Sequence, residues 1–436
     1  MAVLNAGGAA PMAYFGAATN FSTGHFPVSM AVGDFNHDGR PDMAVATSSG
    51  VTVLLNRGGG VMNVSSNYSA YGGDAAIAAG DFNGNGNLDI VVAPFATDGY
   101  ASVLLGNGTG GFPVRTGAGY SWNACGVALG DFNGDGHLDL AIAQTEGACV
   151  SVGPGRGDGS FGVQANYSVT NYPCDLRGGD IYGHGSLDLA VAISIHSAHP
   201  LSANSNAFCV LSNRGDGTFA APRTYAGGRT NDTHYSLELA DFNGDGRLDL
   251  ALLNYYAQSV TIWLNDGRGG FTLAGEYPLG FAPTSIAKGD FNSDGIVDLV
   301  IRGDGAARVL LGNGDSSFTL TPQMAAPADS GYEHGASVAV ADFNGDGAPD
   351  IAFVNYTNNS VAIMLNQTPP VLQIAPMPGY SQISWLATAG FTLEYTTNLT
   401  AGGWRAFPYP PVLFGTQKAV TDWTDGDQKF YRLRRQ

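Results

Sequence analysis

Seven nine-residue strings in this chain alternate oxygen donors with spacers in the pattern D-x-N-x-D-G-x-x-D or a near variant. Side-chain oxygens at positions 1, 3, 5 and 9, with a backbone carbonyl at position 7, make a hard-cation donor set of the kind Ca²⁺ takes. Gly at position 6 permits the sharp turn that folds the donors around one point. The expected ligands are Asp34, Asn36, Asp38 and Asp42 with the carbonyl of Arg40, then Asp81, Asn83, Asn85 and Asp89 with that of Asn87. Asp131, Asn133, Asp135, Asp139 and the carbonyl of His137 form the third set, and Asp241, Asn243, Asp245, Asp249 and that of Arg247 another. The last two are Asp290, Asn292, Asp294, Asp298 with Ile296, and Asp342, Asn344, Asp346, Asp350 with Ala348. The loop at Asp81 has Asn85 at its centre, hence two carboxylates and weaker expected binding. The loop at Asp180 keeps Asp180, Gly185 and Asp188 but has Tyr182 at position 3 and His184 at position 5, and it is expected to have lost calcium. Asp, Asn and Gly also favour metal-free turns. Several like charges in one loop nevertheless call for a cation.

These loops must be held by regular elements, and their spacing says which. The loop starts are 47, 50, 49, 61, 49 and 52 residues apart, room for four short strands per repeat. Apolar runs flank each loop, as in Gly126–Leu129 and Leu138–Ala143, and a third run ends in a glycine turn at Gly106-Asn-Gly108. A fourth begins at a recurring Phe: Phe112, Phe161, Phe219, Phe271 and Phe318. We designate the four strands a to d. No sustained helical period competes with this all-β reading. Four antiparallel strands repeated seven times predict a seven-bladed β-propeller with cation loops at the a–b hairpins. The seventh repeat lacks strand d, and Tyr14–Phe21 supplies it, which removes an open edge. The propeller is expected to span 1–368. Residues 369–436 carry three of the five Trp and a charge of +2, and read as a small β-sandwich of the fibronectin III sort.

At the Asp loops the sequence resembles the VCBS/FG-GAP repeat family, the integrin-α type of propeller, over about residues 11–366. The resemblance implies seven blades with structural calcium, about six ions here, at the blade hairpins. The family includes a fungal lectin, integrin heads and propellers attached to enzymes, so the fold leaves function open. The tail, with Phe391–Leu399, Trp404 and Phe430–Arg434, resembles C-terminal modules of secreted proteins from environmental bacteria.

Composition narrows the partners. Asp+Glu number 37 against 19 Lys+Arg, a formal charge of −18, which argues against nucleic acid and anionic membranes. Six divalent ions would bring that charge to −6. No run of 18 apolar residues predicts a membrane span. Met1–Ala10 is too short and glycine-rich for a signal peptide, so secretion or cell-surface display would imply a leader already removed. Cys125 and Cys174 lie six residues before their loop Asp, and Cys149 and Cys209 align at the start of strand c. Disulfides Cys125–Cys149 and Cys174–Cys209 are expected, against the alternative of four buried thiols.

The end opposite the cation loops carries the b–c connections, of 9, 12, 9, 20, 11, 9 and 11 residues, the longest in the fourth repeat. Aromatic and polar residues gather there, and Tyr172, His196, His199, His234, Tyr235, Asn254, Tyr255 and Tyr256 are the candidate ligand site. Phe95, Tyr100, Trp122 and Tyr356 share that end. The recurring Asn-Tyr after strand b also reads as simple packing. No nucleophile elbow, zincin motif or phosphate loop occurs. The leading expectation is a non-catalytic, lectin-like module for carbohydrate or cell-surface glycan, its aromatic platforms acting by avidity. A polysaccharide lyase using Tyr235, His234, Tyr332 and His334, and a protein-binding adhesion module, are the alternatives.

Overall fold

The computed structural model describes residues 13–70, 75–96, 99–194, 206–226, 236–327, 337–367, 372–377, 380–386, 391–397, 404–414, 417–423 and 429–435. Every regular element among them is a β-strand. Short runs rich in Val, Ile and Ala, punctuated by Gly and Asp, give hairpins and nothing longer.

Sheet 1 consists of Ser29–Gly33, Asp42–Thr47, Gly50–Asn56 and Met62–Tyr68, paired antiparallel in chain order. The pattern repeats in six further sheets among the described residues, whose first strands are Ala75–Gly80, Ala124–Gly130, Tyr172–Gly179, Leu237–Ala240, Pro283–Gly289 and Val338–Ala341. Each first strand packs on the next, and the seventh packs on the first, closing a cycle. In the seventh sheet the fourth strand is Thr19–Ser22, which pairs with Ser360–Met364 in the register Thr19↔Ile363. The N-terminal segment therefore covers an edge that would otherwise stand open.

The second strands, such as Asp350–Asn355, are buried at every position, because both faces lie against neighbouring sheets. The apolar clusters accordingly run between sheets: Ala44, Ala46 and Val53 of sheet 1 pack with Ile90, Val92 and Leu104 of sheet 2. Glycine at the end of a first strand makes this closeness possible. A Cβ on Gly80 would lie 2.7 Å from Leu138 of the next sheet, and one on Gly179 would lie 2.6 Å from Leu248.

The recurring Phe mostly precedes strand d instead of opening it. Strand d is Val114–Tyr120 after Phe112 and Arg223–Ala226 after Phe219. Each of these rings meets, edge to face, the Phe at position 2 of the previous Asp loop: Phe35–Phe112 at 5.6 Å, Phe82–Phe161 at 5.5 Å and Phe132–Phe219 at 5.7 Å. Phe15 fills the same seat on Phe291 at 5.7 Å, as the seventh sheet requires.

The tail forms two sheets. One has the order Gln373–Met377, Tyr380–Leu386, Gln417–Trp423, Val412–Phe414, and the other Arg405–Ala406, Phe391–Thr396, Phe430–Arg435. Ile383, Trp385 and Val420 of the first share one core with Leu393 and Leu433 of the second.

Candidate functional site

The Asp loops are built alike. Position 1 accepts two or three backbone N–H bonds: Asp131 Oδ1 takes Gly134 N at 2.7 Å and Asp135 N at 3.1 Å, and Oδ2 takes Gly136 N at 2.9 Å. Asn133 Oδ1 accepts from Asp135 N at 2.8 Å, and Asp135 Oδ1 from His137 N at 2.9 Å. The position-6 glycines all sit at φ between 79° and 86°, which a side chain would strain. Oxygens of positions 1, 3 and 5 are thus fixed by backbone donors while keeping further lone pairs to offer.

Position 9 does more than its spacing suggests. Asp42, Asp89, Asp139, Asp188, Asp249, Asp298 and Asp350 are at most 1% exposed. In each, Oδ2 accepts the N–H of the position-2 residue at 2.8–3.1 Å. Oδ1 accepts an N–H from the end of strand c at 2.7–2.9 Å. Position 9 is therefore a staple across the hairpin before it is a ligand. Burial pushes Asp42 and Asp249 up to about 6, and Asp298 and Asp350 up to about 7, with the loop carboxylates adding to the effect. Buried carboxylates beside further carboxylates are a donor set that fits a divalent cation, which would reverse this shift.

The end of strand c carries residues that the repeat motif does not reveal. Asn56, Asn213, Asn265 and Asn366 each donate from Nδ2 to the position-2 carbonyl of the preceding sheet, at 2.7–2.9 Å. Where strand c ends in Gly, a backbone N–H of the c–d turn reaches the same carbonyl: Gly110 to Phe35, Gly159 to Phe82 and Ser316 to Phe242. All seven sheets are so joined to the sheet before. Two of the four stand in a Leu-Asn-x-Gly turn, at Leu55-Asn56 and Leu264-Asn265, which marks a turn in the sequence but not its partner.

The fourth loop keeps the backbone and changes the donors. Asp180 accepts from His184 N and Gly185 N, both at 2.9 Å. The His184 ring lies between Asp180 and Asp188, with Nδ1 3.7 Å from Asp180 Oδ1 and Nε2 3.3 Å from Asp188 Oδ1.

Of the sequence candidates for a ligand site, His196, His199, His234 and Tyr235, with Tyr332 and His334, lie outside the described residues. Tyr172 opens the first strand of sheet 4 and is half-buried. Tyr255 and Tyr256 form an edge-to-face pair at 5.2 Å, with Tyr256 64% exposed. Asn254 is buried, its amide donating to Ser259 Oγ at 3.1 Å, so it clamps the b–c hairpin from within. Another aromatic pair, missed by the motif reading, joins sheets 7 and 1: Phe26 and Tyr356 at 5.0 Å, with Asn359 Oδ1 accepting Phe26 N at 2.8 Å. Trp122 is exposed at the start of sheet 3.

Between these rims the first strands of six sheets, with Ser236 just before that of the fifth, line a cavity of about 430 Å³. Asp175 and Arg177 are paired there at 2.6 Å, and Ser236 Oγ donates to Asp175 at 2.6 Å. Lys288 and Glu238 pair at 3.1 Å.

The disulfide expectation is corrected: all four cysteines are free thiols. Cys125 Sγ lies against Thr145 Oγ1, and Cys149 Sγ faces Gln144 Oε1 at 3.8 Å. Strands a and c flank b, about 10 Å apart, beyond the Cα span of about 4.4–6.8 Å that a disulfide bridges. Burial pushes the Cys125 and Cys209 thiols up to about 12.

A model of the FG-GAP-like repeat matches residues 34–92, 81–142, 180–252, 241–301 and 290–353, more than half of the chain. The chain belongs to the FG-GAP-like repeat family. The FG-GAP repeat model also matches 126–160. Among solved structures, an Agrocybe aegerita lectin described as recognising non-reducing terminal N-acetylglucosamine is similar, with TM-score 0.51 and 20% identity over 68% of this chain and 80% of that one. BBS1N, solved in complex with ARL6DN, is similar with TM-score 0.55 and 10% identity over 80% of this chain and 96% of that one. At such identities the likeness is one of fold. No curated protein matches the chain. The FG-GAP-like matches each run from one Asp loop through the next.

Proposed function

We propose that this FG-GAP chain is a calcium-stabilised, seven-bladed carbohydrate-binding propeller of the secreted or cell-surface kind, non-catalytic, with residues 1–368 as the propeller and 369–436 as a separate β-sandwich module. The observation that carries the ligand reading is the recurrence of exposed aromatic groups on one end of the ring. Phe26 with Tyr356, Trp122, and Tyr255 with Tyr256 stand at different sheets on the face opposite the Asp loops. Amphipathic rings beside amide groups suit the apolar face and hydroxyls of a pyranose. The same feature repeated around a ring gives several weak sites that act together on a multivalent glycan. The likeness in fold to a lectin for terminal N-acetylglucosamine supports testing that sugar first.

The test is retention on immobilised N-acetylglucosamine and a glycan array, with Trp122→Ala, Tyr256→Ala and Phe26→Ala beside the parent protein. Each stacking contact contributes about 1 kcal/mol, or roughly fivefold. Several-fold weakening by each variant at unchanged melting temperature is the expected result. Retention of no glycan by the parent, or full retention by all three variants, overturns the proposal.

A further inference from the structure

The Asp180 loop is more than a calcium loop that has decayed. Its Gly185 has φ 84°, within the range of its counterparts, and Asp180 makes the same backbone bonds as the other position-1 residues. The scaffold is intact while two donors have changed type. At position 5 an imidazole replaces a carboxylate, and it stands between the two remaining carboxylates. One donor atom each from Asp180, His184 and Asp188 lies within 4.8 Å of the others. No other three His, Cys, Asp or Glu side chains are gathered so closely among the described residues. In the loops at Asp34 and Asp241 the position-5 carboxylate instead turns to an arginine, Asp38 to Arg40 and Asp245 to Arg247, both at 2.5 Å.

Position 3 has changed to match. Tyr182 stacks parallel to His184, with ring centroids 6.0 Å apart and planes 5° from each other. Tyr182 in turn is seated on the glycine turn of sheet 5, where a Cβ on Gly269 would lie 2.2 Å from Tyr182 Cζ. The tyrosine thus walls one side of the imidazole, and Gly269 leaves room for it. His184 itself is exposed, with 36% of its side chain open to solvent, so an ion can enter.

Oxygen-only loops select hard ions such as Ca²⁺, whereas an imidazole shifts preference toward Zn²⁺, Co²⁺ and Ni²⁺. Two carboxylates and one imidazole leave the remaining coordination positions to water. We propose that Asp180, His184 and Asp188 form a site for a borderline divalent transition ion, distinct in metal preference from the six other loops. Ser186 N donates to Nδ1 at 3.2 Å, so Nε2 carries the ring proton in the metal-free protein. Coordination through Nε2 moves that proton to Nδ1 and breaks the bond from Ser186 N.

The experiment is a Co²⁺ titration of the full chain in saturating Ca²⁺, read by visible absorption and calorimetry, with His184→Ala and Asp180→Asn. One equivalent of Co²⁺ should bind without being displaced by Ca²⁺, and each variant should weaken it by at least about tenfold. Both positions are on the surface, and an unchanged melting temperature in Ca²⁺ verifies that the variants fold. Nitrogen-15 shifts of His184 should report the tautomer change on adding diamagnetic Zn²⁺. The proposal is overturned if no Co²⁺ binds in excess Ca²⁺, if Ca²⁺ displaces it, or if binding survives His184→Ala, which would assign it to another histidine.

Discussion

A carboxylate such as Asp298, with no exposed surface, survives in the fold because two backbone donors meet it, Phe291 N and Gly312 N at 2.8 Å each. The two bonds tie the start of a loop to the end of the strand two elements later. Asp298→Asn keeps the shape but replaces one acceptor oxygen by an amide NH₂. One of the two N–H groups then faces a donor in a buried site, at a cost of about 1–3 kcal/mol. Urea unfolding in calcium should show that loss, with an unchanged m-value. Stability equal to the parent would mean that the staple contributes nothing. Repeated at Asp188, whose loop lacks the oxygen-only donor set, the substitution tests the staple apart from calcium.

Between elements, the hydrogen bonds that join each sheet to its predecessor decide whether the ring behaves as one unit. Asn366 donates both to Phe291 O at 2.9 Å and to Pro349 O at 3.1 Å. Asn366→Ala leaves two carbonyls without this partner and should cost about 1–3 kcal/mol. Removing residues 1–22 should do more, since it takes away both Thr19–Ser22 and the Phe15 contact with Phe291. The exposed edge of Ser360–Met364 should then pair with other chains, giving oligomers by size-exclusion chromatography and a broadened melt. A monomer of parent stability would refute the role of the splice. The strand order could be read from sequence because short apolar runs and Asp-Gly turns repeat at nearly fixed spacing. The inter-sheet bonds could not, because an Asn ending strand c looks like any turn residue until its partner 287 positions away, as for Asn56 and Phe343, is known. The cysteine pairing failed for a similar reason. Alignment placed Cys125 and Cys149 at one end of a sheet, and a disulfide there needed the ends of strands a and c to bend inward across strand b, which they do not do. Of the ligand face, Tyr255 and Tyr256 were legible as aromatics in a loop, whereas the Phe26–Tyr356 pair depends on the ring closing.

For the whole molecule, charge sets the terms. The chain carries −18 overall, with the tail at +2, so the negative charge is concentrated in the part that holds the Asp loops. Seven staple carboxylates are buried there, several of them pushed up by burial as far as about 7. A ring so loaded folds against its own repulsion unless cations sit in the loops. On the calcium proposal, each occupied loop adds up to about 2.7 kcal/mol when free Ca²⁺ exceeds its Kd a hundredfold and the ion binds only the folded hairpin. Chelation should therefore lower the melting temperature by on the order of 10 °C or more. The drop should be larger at low ionic strength, where the remaining charges are least screened. Metal analysis of the parent protein should find about six calcium ions per chain, five bound firmly and the one at Asp81 the first to leave on dilution. Readdition of Ca²⁺ should restore the melt, and Mg²⁺ should not, since Mg²⁺ demands near-ideal octahedral geometry and gives up its waters reluctantly. An unchanged melt in excess chelator, with no calcium by metal analysis, would show that the loops hold their shape by backbone hydrogen bonds alone.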